Sequence, residues 1–112
     1  MVQATVKMVM PADKIDEAVQ ILHSIAERTR VEAGCFDCCV HRDTGDECVL
    51  VFEQTWNTED AMLRHLASEE YRNVLLVMDM CSEQPMVRFD TITGSTGLET
   101  VEAARSIKKD GE

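Results

Sequence analysis

Apolar and polar residues alternate from Val2 to Met10, placing Val2, Ala4, Val6, Met8 and Met10 on one face, so residues 2–10 read as a strand. Pro11 stops it and can sit at the start of a helix, where its missing N–H costs little. The period then changes. From Asp13 to about Glu32, Ile15, Ala18, Val19, Leu22, Ile25 and Ala26 fall on one helical stripe. Gly34 is expected to close that helix as a left-handed cap. Residues 35–41 and 48–56 read as two strands joined across "RDTGDE", whose Asp43, Gly45 and Asp46 are turn formers. In "TWNTEDAMLRHLASEEY", residues 55–71, Asn57 or Thr58 caps a short helix with Glu59 and Asp60 in its first turn. Ser68 caps the next, whose inner face should carry Tyr71, Val74, Leu75 and Met78. Pro85 opens a last strand over roughly residues 86–93. "GSTG" breaks it, and "LETVEAARSIKK" can form an amphipathic helix through Leu98, Val101, Ala104 and Ile107.

This order, β-α-β-β-α-β plus a tail, predicts an α+β fold: a ferredoxin-like antiparallel sheet with helices on one face. Residues 1–94 would form the domain and 95–112 a C-terminal extension. The strand 48–56 is apolar on both faces, with Val49 and Val51 on one and Leu50, Phe52 and Trp56 on the other. One set can pack on helices. The other needs cover, most simply a second copy of the chain, so a homodimer is expected.

A chain of 112 residues suits one small domain, and 45% hydrophobic with 29% charged residues is ordinary globular composition. With 11 basic and 21 acidic residues the net charge is −10. That argues against nucleic acid and anionic membrane surfaces as partners, since both require clustered Lys and Arg. The one basic pair, Lys108-Lys109, sits in a tail that also holds Asp110 and Glu112. The N-terminus lacks the marks of a signal peptide, and no apolar run approaches the ~18 residues that span a bilayer. A cytoplasmic location is expected, with Cys35, Cys38, Cys39, Cys48 and Cys81 as free thiols.

"CFDCCVH" invites a metal reading, but strand alternation turns Cys35, Asp37, Cys39 and His41 one way and Cys38 the other. Zinc needs a C-x-x-C pair on a tight turn and a second pair elsewhere, which the sequence lacks, so no metal site is expected. The cysteines read as small hydrophobes. His23 lies at the edge of an apolar stripe and His41 at a strand end; Asp13, Asp16, Glu17, Glu69 and Glu70 read as helix-start charges. No phosphate loop, Ser-His-Asp set or H-E-x-x-H helix occurs. His65 differs, because it shares the inward stripe of Ala61, Met62 and Leu66. A buried neutral imidazole could act as a general base or orient a substrate hydroxyl; it could equally be a hydrogen-bonded core residue.

The segments "EAGCF", "VLVFEQTW" and "WNTEDAMLRHLAS", in that order and with Trp56 and His65 nine positions apart, resemble the antibiotic biosynthesis monooxygenase family over about residues 3–93. The resemblance implies a dimeric α+β barrel. It also implies oxidation of a quinol or other polycyclic phenol by O₂ with no cofactor. On that analogy His65 is the catalytic group, and Trp56, Phe52, Met62 and Tyr71 line a pocket for a hydrophobic aromatic substrate. The alternative is a non-catalytic dimeric domain that binds a small hydrophobic ligand or serves a structural role. Related sequences often carry glutamate where this chain has Gln54, and many carry a second histidine at the place of Glu70. The haem-degrading pattern is missing: the first strand has no asparagine, and Leu75 stands at the iron-ligand position.

Overall fold

The computed structural model describes residues 1–110, and side chains through residue 106. The strands are β1 (Val2–Val9), β2 (Cys35–Arg42), β3 (Val49–Trp56) and β4 (Met86–Thr91), with helices α1 (Ile15–Thr29), α2 (Glu59–Leu66), α3 (Tyr71–Asp79) and α4 (Leu98–Asp110). The sheet runs β2-β3-β1-β4 with every neighbouring pair antiparallel. The chain thus crosses from β1 to β2 over β3, and from β3 to β4 over β1. This is the expected ferredoxin-like arrangement.

Helix α1 begins at Ile15 rather than Asp13, because Pro11–Lys14 form a turn closed by Lys14 N–H donating to Pro11 O at 2.9 Å. Its N-terminus has no side-chain cap, but Asp16 and Glu17 complement the positive end of the helix dipole there. The helix stops at Thr29, whose hydroxyl donates back to Ile25 O at 2.7 Å. Gly34 does adopt positive φ, +86°, yet it lies beyond that helix end, at the threshold of β2. A Cβ there would come 2.5 Å from Ala61 Cβ, so glycine serves a close approach to α2 as well as a turn.

Ile15, Ala18, Leu22, Ile25 and Ala26 pack against Val6, Met8, Leu50 and Phe52 in the larger core cluster, joined by Tyr71, Val74 and Val77. A smaller cluster holds Ala4, Trp56, Ala61 and Met62. The sequence places Leu75 on the inner face of α3, but it is exposed, and Val77, three residues after the buried Val74, takes the inward place. Strand β2 carries a bulge between Cys35 and Asp37, with Cys35 opposite Trp56 and Asp37 opposite Thr55. The extra residue, Phe36, shifts the alternation. Cys35 therefore shares the helix side with Cys38, not the open side with Cys39 and His41 as simple alternation predicts.

Among the described residues no helix is long and apolar enough to cross a membrane. Helix α4 carries Leu98 and Val101 in solvent, and the radius of gyration, 17.2 Å, exceeds the roughly 13 Å of a compact chain this long. The Ile107 side chain and residues 111–112 lie outside the described residues.

Candidate functional site

Thr58 caps α2 by accepting from Ala61 N–H at 3.1 Å, choosing between the two caps considered from sequence. That fixes the phase of the helix, and one turn after Ala61 the His65 side chain is carried under the sheet, fully buried. Trp56 ends β3 on the same side. Its ring centroid lies 4.9 Å from that of His65 at 35°, while Tyr71 meets His65 edge-on, 5.6 Å away at 81°. Burial pushes the Tyr71 phenol above its ordinary range. Of the other expected pocket residues, Met62 joins Trp56 in the smaller cluster, and Phe52 lies in the larger one with Tyr71.

Three polar side chains connect to His65 or through it. The Trp56 indole N–H donates to Gln54 Oε1 at 3.3 Å, and Gln54 Nε2 lies 3.1 Å from His65 Nε2. Indole nitrogen can only donate, which fixes the glutamine amide: its oxygen faces Trp56 and its N–H₂ faces the imidazole. His65 Nε2 must then accept, so the neutral ring carries its proton on Nδ1. That atom lies 2.8 Å from Glu32 Oε2, close enough for strong attraction, but the carboxylate sits off the line of an N–H···O bond. The Glu32 side chain is 38% exposed and brings a carboxylate to the edge of the buried ring.

Gln54 and Glu32 were not among the residues expected to line a site. Gln54 had a visible signal, since alternation along β3 puts it on the inward face between Phe52 and Trp56. Glu32 had none. Glu70, standing where many related sequences carry histidine, pairs with Arg28 at 2.7 Å and ties α1 to the start of α3.

Beside this cluster the helix cover thins. In the β1–β4 and β1–β3 registers Ala4 lies between Phe89 and Gln54, and Val6 between Val87 and Phe52. Val87 and Phe89 are 42% and 49% exposed on that inner side. An apolar shelf on β4 therefore leads across the small Ala4 side chain toward Gln54 and His65.

The opposite sheet face is mixed. Gln3 donates to Glu53 at 2.7 Å, His41 lies 3.8 Å from Glu53, and Val49 and Val51 are half-buried. A groove of about 180 Å³ lined by Lys7, Val9, Val49, Glu83, Gln84 and Met86 opens at this side and touches none of the expected site residues. His23 is exposed beside Glu27. Among the described residues no three His, Cys, Asp or Glu side chains converge as metal ligands. Desolvation, with Cys35 nearby, pushes the buried Cys38 thiol up to about 12.

A sequence profile of the antibiotic biosynthesis monooxygenase family matches residues 1–75. Among solved structures, a candidate antibiotic biosynthesis monooxygenase of Deinococcus radiodurans superposes with a TM-score of 0.79 at 20% identity, covering 87% of this chain and 97% of its own. Another structure bearing that family name gives 0.75 at 22% identity, over 84% of this chain and 100% of the other. A candidate member from Nitrosomonas europaea gives 0.76 at 15% identity, over 84% and 100%. Identities this low speak for the fold alone. No curated protein matches the sequence.

Proposed function

The chain belongs to the antibiotic biosynthesis monooxygenase family, and from that premise we propose that it oxidises a quinol or other polycyclic phenol with O₂, the substrate itself acting as reductant. The observation that supports this reading is the polar chain Trp56–Gln54–His65–Glu32, set in an otherwise apolar interior. Such a chain is costly to bury unless its groups are satisfied. It does supply what oxygenation needs: a neutral base, a donor for an oxyanion and a flat aromatic wall.

The substrate enters along Val87 and Phe89, over Ala4, and parts the Gln54–His65 contact. His65 Nε2 takes the phenol or enol proton, and the Gln54 N–H₂, aimed at the same point, holds the resulting oxyanion. Trp56 stacks on the ring, with Tyr71, Met62 and Phe52 closing the apolar surround. The electron-rich anion passes one electron to O₂, and the radical pair joins as a C–O bond. For an anthrone-type CH₂ the sum is CH₂ + O₂ → C=O + H₂O, one oxygen atom in the product and one in water, so no external reductant is consumed. The peroxide anion takes back the proton held on Nε2, restoring the starting tautomer. The O–O bond then breaks as the remaining C–H is lost as a proton, its electron pair forming the C=O, and the departing hydroxide takes that proton to leave as water. The half-buried Val49 and Val51 support a homodimer through the open sheet face.

A second reading, binding of a hydrophobic ligand without chemistry, is favoured by one fact: His65 Nε2 already has a partner in Gln54. Oxygen uptake by metal-stripped protein on a panel of quinols and anthrones, with catalase and superoxide dismutase present, separates the two. Oxygenation requires saturable uptake that falls by about two orders of magnitude in His65→Ala. Binding alone requires ligand affinity that survives His65→Leu, with uptake equal to buffer.

A further inference from the structure

We propose that Glu32 is the positioning residue of this site: with Gln54 setting Nε2 to accept, the Glu32 carboxylate faces the Nδ1–H on the other side of the ring, holds the imidazole in place and balances the imidazolium formed when Nε2 takes a proton. This rests on the reading of His65 as the base.

The turn that carries Glu32 is pinned at both ends, Glu32 N–H donating to Thr29 O at 3.0 Å and Cys35 N–H to Glu32 O at 3.1 Å. Two residues on, Gly34 presses against Ala61, and its O accepts from Asn57 N–H at 2.8 Å. Ala61 and His65 are one helical turn apart on the same face of α2. The missing Cβ at Gly34 is thus what lets the turn approach α2 closely enough for the carboxylate to reach Nδ1. The neighbouring cations are engaged elsewhere: Arg28 with Glu70, and Arg30 with the Cys38 carbonyl at 2.7 Å. Besides the Cys35 thiol, His65 is left as the group Glu32 faces. The two ring nitrogens then have opposite assignments, Nδ1 held by charge and Nε2 directed by Gln54 toward the substrate side.

The test needs no substrate for its first half. In histidine-labelled protein at pH 8, long-range ¹H–¹⁵N spectra should show one histidine locked as the Nδ1–H tautomer, while the exposed His23 and His41 average. Glu32→Gln keeps an acceptor oxygen and should keep the His65 Nδ1–H signal protected from exchange; Glu32→Ala should lose that protection while Gln54 continues to set the tautomer. In turnover, Glu32→Gln should lower kcat about tenfold at unchanged KM. A locked Nε2–H signature in the wild type, or a Glu32→Ala spectrum like the wild type, overturns the proposal. Should Glu32→Ala not fold, wild-type kcat in Glu32→Gln overturns it equally. If the spectra behave as expected but the wild type consumes no oxygen on the panel, the oxygenase reading fails and only the Glu32–His65 contact stands, which overturns the catalytic part of the proposal.

Discussion

Two packings lie under the same sheet face, and they are built on different terms. Beneath β1 and β3, α1 contributes Ile15, Ala18, Leu22, Ile25 and Ala26, and apart from the Tyr71 phenol and the Thr29 hydroxyl turned back on its own helix the interior is apolar. A few residues along the same strands, around Trp56, the interior holds Gln54 and His65, joined end to end and reaching Glu32 at the surface. The first region needs only shape and hydrophobicity. The second needs each donor matched to an acceptor, so its cost is repaid only if the groups do something besides fill space.

The comparison is sharpened by removing one member from each side. Leu22→Ala should cost about 2–5 kcal/mol in urea unfolding and leave turnover per folded molecule unchanged. Gln54→Leu should cost about 1–3 kcal/mol, because the Trp56 N–H and His65 Nε2 lose their partner in a buried setting. Unlike Leu22→Ala, it should also release the His65 tautomer and depress oxygen uptake. If Gln54→Leu proves neutral or stabilising, the contrast between the regions collapses. The smallest effect concerns Cys38, which lies opposite Gln54 in the β2–β3 register. Its thiol is raised from 9.0 to about 12 by burial, so the unfolded chain gives up that proton first. Stability is therefore fully kept below pH 9 and falls as pH climbs from 9 towards 12. Alkaline unfolding of Cys38→Val should show a shallower decline over that range than the wild type.

How much of this was legible follows from what each residue touches. The period of two in β1 and the stripe of α1 announced their elements, because burial there is decided by near neighbours in sequence. The inward place of His65 followed from the phase of α2 in the same way. Gln54 could be seen as a polar residue on an inward face, though not that it would join Trp56 to His65. Glu32 was out of reach: its contact spans 33 positions and depends on a turn, a glycine approach and a helix cap acting together. The bulge at Phe36 was equally hidden, since "CFDCCV" alternates acceptably in either phase. Leu75 failed for a simpler reason. In the run Val74-Leu75-Leu76-Val77 every position is apolar, so no period marks which side faces in.

The contact between Gly34 and Ala61 carries a consequence for how such sequences can drift. Positive φ holds position 34 to glycine, so position 61 bears the variation, and Ala61 Cβ already occupies the space that a Cβ on residue 34 would need. Any residue larger than alanine there wedges α2 away from the Glu32 turn. Where descendants of this chain exchange Ala61 for a bulky residue, Glu32 should be released from selection with it, and the two positions should be lost as a pair.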